Sequence, residues 1–137
     1  ALLEEFLSLV SAEIPREKLE LRGGKVYLSP DLPTGVQGLH FLRNGLYLGE
    51  IRKNRFEPSQ PFAMALSAKT FADCLNLSLE DDRTKRYLAG ETIYVEAGET
   101  HSPKGWKLVC AEGFSLGWGK LVNGTLKNKY PVSWRRS

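Results

Sequence analysis

The sequence is poor in the residues that build reactive centres and covalent scaffolds: its 137 residues include two cysteines, two histidines and one methionine. Cys74 and Cys110 stand 36 positions apart with no paired spacing, which suits reduced thiols in a cytosolic protein better than a secreted disulfide framework. The separations of His40, Cys74, His101 and Cys110 are 34, 27 and 9 residues. None of these is a common zinc-ligand spacing, so no metal is expected. No apolar run approaches the ~20 residues of a membrane span, and the start Ala1-Leu2-Leu3-Glu4-Glu5 lacks the basic flank of a signal peptide. The expected location is therefore cytoplasmic, with no membrane partner. An initiator methionine is also missing; processing accounts for that, and so does a fragment of a larger protein.

Catalytic patterns are missing too. Gly113-Phe114-Ser115-Leu116-Gly117-Trp118-Gly119 has the wrong glycine spacing for a nucleotide loop, and no helix follows to hold phosphate at its N-terminus. Asp81-Asp82 falls at a helix start, where capping explains it without acid or base work. Cys110 closes the apolar run Trp106–Cys110 as a small buried hydrophobe. A small stand-alone enzyme lacks the constellation it would need.

What is present is a foldable chain with uneven charge. Hydrophobic residues make up 42% and charged residues 26%, fitting one compact domain or two small lobes that hide roughly two-thirds of the unfolded surface. The net charge is +3, but residues 101–137 hold seven Lys and Arg against Glu112 alone, a local +6, while the rest sums to −3. A basic C-terminal third favours an anionic partner, commonly nucleic acid; a solubilising face is the bland alternative.

Along the chain, Leu2, Leu3, Phe6, Leu7, Leu9 and Val10 form a helical stripe with Glu4 and Glu5 in the first turn, where the helix dipole favours acids. Pro15 opens a second short turn, Leu19–Leu21 and Lys25–Leu28 read as short strands around Gly23-Gly24, and a loop over 29–35 follows. Asn44-Gly45 predicts a hairpin of Leu39–Arg43 with Leu46–Ile51, placing Phe41 opposite Leu48 and Leu39 opposite Glu50. Ser59 caps a short helix over Phe62–Leu66. A second helix over 80–88 runs from acidic to basic and stops at Gly90. Thr92–Glu96, Trp106–Ala111, Phe114–Val122 and Thr125–Tyr130 then read as strands. No fixed-period repeat is present.

The last two strands carry the main functional signal. A two-residue turn at Asn123-Gly124 pairs Leu121 with Leu126, Lys120 with Lys127, Gly119 with Asn128, Trp118 with Lys129 and Gly117 with Tyr130. One face then carries Leu121, Leu126 and Tyr130 over the glycines. The other carries Trp118, Lys120, Lys127 and Lys129. Lys120 opposite Lys127 repels by a fraction of ~1 kcal/mol, and a bound anion reverses that sign. Three lysines beside an indole meet phosphates while the ring stacks on a base; alternatively Trp118 is core and the lysines snorkel around it. Trp134-Arg135-Arg136 and the run Arg52-Lys53-Asn54-Arg55 extend the basic set. The candidate RNA-binding residues are thus Arg52, Lys53, Arg55, Trp118, Lys120, Lys127, Lys129, Arg135 and Arg136, with no catalytic or metal-binding residue.

Two blocks also carry a family resemblance. Leu42-Arg43-Asn44-Gly45-Leu46-Tyr47-Leu48-Gly49-Glu50 and Lys53-Asn54-Arg55-Phe56-Glu57-Pro58-Ser59 resemble the segment after the catalytic domain in bacterial RsmF-type ribosomal RNA cytosine-C5 methyltransferases of the Nol/Nop/Sun family. Tyr87–Ile93, Gly105–Val109, Gly113–Lys120 and Leu126–Pro131 resemble that family's C-terminal PUA-like RNA-binding domain. The resemblance spans roughly residues 36 to 136. It implies an α+β chain: a small mixed β-barrel of PUA-like type over 68–137, preceded by a smaller α/β connecting lobe over 1–67. It further implies an accessory module that docks ribosomal RNA for a catalytic domain of the same protein using S-adenosylmethionine. The family's nucleophilic cysteines sit in Pro-Cys and Thr-Cys contexts, whereas Cys74 follows Asp73 and Cys110 follows Val109. Neither role transfers, so this chain is expected to hold no cofactor and to catalyse nothing alone. The alternative is a structural domain that packs on the catalytic domain through Leu2–Val10 and Phe62–Leu66 without touching RNA.

Overall fold

The structure, a computed structural model, describes residues 2–10, 19–29, 46–53 and 55–135. Helix α1 (Leu2–Leu7) is shorter than its stripe, but Phe6, Leu7 and Val10 are buried as the periodicity requires. Strands β1 (Leu19–Arg22) and β2 (Lys25–Leu28) form a hairpin closed by Gly23 and Gly24, both at positive φ. Next come β3 (Leu46–Arg52) and β4 (Arg55–Pro58), giving an antiparallel sheet in the order β1-β2-β3-β4.

This sheet corrects one expected register. Glu50, expected opposite Leu39, has Lys25 on one edge and Glu57 on the other. Arg52 pairs with Arg55, so β3 continues directly into β4 as its antiparallel neighbour. Two turn-forming dipeptides flank the same strand, and the apolar pattern does not choose between them. Leu39–Arg43, Asn44-Gly45, the Pro15 turn and the 30–35 loop lie outside the described residues.

Helix α2 (Gln60–Met64) starts where its cap predicts. The Ser59 hydroxyl accepts from the Phe62 N–H at 3.2 Å, and Pro61 occupies the first turn. Beyond it lies β5 (Cys74–Leu77), a strand the sequence reading missed, and then α3 (Asp82–Leu88), capped by Asp81 and ended at Gly90, φ 88°. Strands β6 (Ile93–Tyr94), β7 (Gly105–Ala111), β8 (Phe114–Val122) and β9 (Thr125–Asn128) complete a mixed sheet in the order β5-β7-β8-β9-β6, with β5 parallel to β7. The β8–β9 register is the expected one from Val122–Thr125 to Gly119–Asn128, and its turn holds Asn123 and Gly124 at positive φ. The observed architecture is α+β.

Each face of the mixed sheet packs against a core over part of its area. On one side Leu108, Cys110 and Trp118 join Phe6, Leu48, Phe56, Phe62 and Phe71 in one core. On the other, Leu75, Val109, Leu121 and Leu126 pack with Tyr87 and Ile93. The first core draws on both halves of the chain, and the Trp118 indole N–H donates to the Ser59 carbonyl at 2.7 Å. The apolar faces of α1 and α2, expected by the alternative reading to meet another domain, are spent here instead. Among the described residues no helix is long and apolar enough to cross a membrane.

Candidate nucleic-acid interface

The paired registers of β7, β8 and β9 set three side chains in one row: Trp106 opposite Lys120, and Lys120 opposite Lys127. Directly paired residues share a face, so the next row on that face is Val122, Thr125 and Tyr94. The Lys120 ammonium lies 5.5 Å from the centre of the Trp106 ring, a cation–π contact that parks the charge without neutralising it. Beside the row opens a cleft of about 410 Å³ lined by Glu5, Arg55, Lys104, Trp106 and Lys120 among others.

One wall of that cleft is anchored by a buried ion pair. Lys107 is 0% exposed, and its ammonium donates to Asp73 at 2.7 Å and to the Lys104 carbonyl at 2.8 Å. The other Asp73 oxygen accepts from the backbone N–H groups of His101 and Ser102 at 3.1 and 3.4 Å. Three of these four hydrogen bonds end on the 101–104 loop and hold it against the sheet. Lys107, counted from sequence in the basic surface of the C-terminal third, belongs to this core.

The candidate residues separate into three groups. Lys127 and Lys129 are exposed and Lys120 half-buried; with Lys104, they carry no ion pair among the described residues. Arg52 and Arg55 are exposed but paired at 3.0 Å each, with Glu50 and Glu57 respectively. The Glu50 hydrogen bond also raises the Arg52 pKa. Only Lys53 leaves net positive charge at that hairpin end. Arg135 is half-buried, its guanidinium donating to the Tyr130 carbonyl at 3.1 Å and lying over Gly90, where a Cβ would clash with it. Arg136 lies outside the described residues.

Trp118 requires a correction. It is 1% exposed, edge-on to Phe6, Phe62 and Phe71, and its only donor is used by Ser59. It offers no ring face to a base. The accessible aromatics on the lysine-bearing face are Trp106 and Tyr94, and the sequence reading missed both. For Trp106 the signal was hidden by a β7–β8 register shift at Val109/Cys110, so that it meets Lys120 rather than Gly119; for Tyr94 it was hidden because β6 joins the sheet beside β9 rather than beside its neighbours in sequence. On the opposite face the glycines are explained by close approach: a Cβ at Gly117 would stand 2.6 Å from the Tyr87 hydroxyl, which donates to the Trp118 carbonyl.

The other chemistry-bearing groups are structural. Asp81 and Glu99 both grip Arg83, and these contacts hold both carboxyls below the usual range. The Cys74 and Cys110 thiols donate to the Ala68 and Leu108 carbonyls at 3.9 Å each; the influence of each thiol on the other lowers the Cys74 pKa to about 7 and raises that of Cys110, itself fully buried. Among the described residues no three His, Cys, Asp or Glu gather as a metal-binding group.

Family models match both halves of the chain. Residues 4–66 match the RsmF rRNA methyltransferase first C-terminal domain, and residues 74–136 match the methyltransferase RsmF PUA domain. The chain belongs to the C-terminal region of the RsmF family. Among curated relatives, ribosomal RNA small subunit methyltransferase F of Vibrio vulnificus strain YJ016 is 31% identical over 96% of this chain and 27% of its own length. Its counterpart in Vibrio parahaemolyticus is 32% identical over 87% of this chain and 25% of its own length. In Shewanella loihica the values are 35%, 72% and 20%. The chain therefore spans about a quarter of the length of the RsmF relatives it matches. The S-adenosylmethionine that a methyltransferase implies does not fit the groups described. Phe114–Gly119 runs within β8 rather than turning into a helix, so the glycine-rich stretch presents no helix N-terminus to a nucleotide cofactor.

Proposed function

We propose that this chain is an RNA-docking module that holds ribosomal RNA for an S-adenosylmethionine-dependent cytosine-C5 methyltransferase domain of the same protein, in the cytoplasm. The observation that carries this reading is the row Trp106–Lys120–Lys127 beside a cleft, with Lys104 and Lys129 near it, whose ammonium groups have no carboxylate partner among the described residues. Lys120 facing Lys127 is unfavourable in the free protein, and phosphate oxygens between them turn repulsion into two charge-assisted contacts. Arg55 reaches the same cleft, but Arg52 and Arg55 must first release Glu50 and Glu57, so the hairpin end contributes less. The division into a connecting domain over 1–67 and a PUA-like domain over 68–137 is part of the same proposal.

A second reading, a domain that packs on the catalytic domain without RNA contact, draws on Phe114 and Leu79. These residues are 76% and 69% exposed, and the Leu79 N–H is held by Glu112, two residues before Phe114. The two readings part in salt response. RNA binding by the lysine row should weaken steeply with salt, and Lys120→Glu with Lys127→Glu should flatten the log–log slope by about 1.4, roughly 0.7 per lost contact to a single strand. Arg52→Gln with Arg55→Gln should change affinity much less. An unchanged slope in the lysine variant, with the fold intact by circular dichroism, removes the proposed face.

A further inference from the structure

The lysine row explains attraction to any polyanion, duplex or single-stranded, but the face holds more than charge. Tyr94 is 72% exposed on the edge strand β6, beside Thr125 and Val122 in the row next to Lys120 and Lys127. A large aromatic left this bare on a sheet face gives up burial free energy that a core position would recover. It is also held firmly. The Tyr94 carbonyl accepts from Arg83 at 2.9 Å, and Arg83 is clamped by Asp81 and Glu99 at 2.8 Å each. Trp106, half-buried under Lys120, stands at the opposite corner of the same face. Three inter-strand steps and one residue pair separate the two rings, a span of about 16 Å.

Resting on the RNA-docking reading, we infer that this face takes an unpaired RNA segment, with one base stacked on Tyr94 and another against the free part of Trp106, while Lys120 and Lys127 hold the intervening phosphates. An exposed ring presents its π-face to any base, and stacking demands that the base be unpaired. The ~16 Å span fits a segment of about four nucleotides, the lower end of site sizes for such surfaces. Duplex RNA has its bases stacked internally and meets only the lysines.

The test is a fluorescence-anisotropy titration of the 137-residue chain with three labelled probes: an eight-nucleotide single-stranded RNA, its duplex, and an abasic strand of equal length. Tyr94→Ala, at an exposed site, should weaken single-strand binding about ten-fold, Tyr94→Phe should retain it, and neither should alter binding of the abasic strand. Phe114→Ala, about 20 Å along β8 from Lys120, is the control expected to change nothing. If wild-type protein binds RNA through Lys120 and Lys127 but Tyr94→Ala is silent, or the duplex binds as tightly as the single strand, the stacking inference falls and the docking reading stands. If no RNA binds at low salt, both fall.

Discussion

Replacing Asp73 by alanine tests whether the interface depends on a buried charge pair. The substitution removes the acceptor for the 2.7 Å bond from Lys107 and for the N–H groups of His101 and Ser102. Lys107 is 0% exposed and keeps only the Lys104 carbonyl, so its ammonium is left buried without a counter-charge. Breaking such a pair from one side costs about 3–5 kcal/mol, a large share of the 5–15 kcal/mol that holds a domain together. With an m-value near 2 kcal/mol/M, the urea midpoint should fall by about 1.5–2.5 M at unchanged m. Lys107→Met should cost less, because Asp73 retains two backbone donors. Asp73→Leu with Lys107→Met should return to within about 1 kcal/mol of the parent, since both desolvated charges are gone. A loss below about 1 kcal/mol in Asp73→Ala, or a double variant no better than that single one, refutes the reasoning.

Two further outcomes follow from shifted ionisations. Alkylation of Cys74 should rise with pH around a midpoint near 7, and Cys110→Ala, by removing the neighbouring thiol that favours its thiolate, should move that midpoint up toward the ordinary thiol range; iodoacetamide rates followed by mass spectrometry check this. The Asp81 and Glu99 carboxyls are held below the usual range chiefly by hydrogen bonds from Arg83. Their contribution to stability is therefore full above the unfolded-chain carboxylate pKa and lost as pH falls through the lowered folded values. Arg83→Gln should flatten the acid side of the melting-temperature profile below about pH 4 while leaving its neutral plateau shifted but level.

Local signals in the sequence were sufficient at several turns and caps, though not at Asn44-Gly45, whose expected register β3 does not keep. Asn123-Gly124 set the β8–β9 register through Lys120–Lys127, Ser59 and Asp81 set two helix starts, and Gly23-Gly24 closed the first hairpin. The readings that failed depended on distant partners. Strand β5 has no turn of its own and exists because β7 offers a parallel edge. Trp118 and Lys107 look like surface residues from their neighbours, yet Ser59 lies 59 positions from one and Asp73 lies 34 from the other. Part of the aromatic face was missed for a related reason: one extra residue in β8, Leu116, shifts the β7 partners beyond it by one step, so that Trp106 meets Lys120, and no local pattern announces it.

The core that Phe6, Phe56 and Phe62 share with Trp118 has a consequence for reach. A face carried on a flexible tether samples many distances, and its local concentration at a second site falls only slowly with tether length. Here the lysine row is bolted through that aromatic cluster to α1 and to the β1–β4 sheet. Whatever lies on the row is displayed at one fixed offset and angle from the first half of the chain. On the proposed docking reading, such an arrangement would work as a caliper, selecting by the distance between two points on a folded RNA, a property that no single base contact reads.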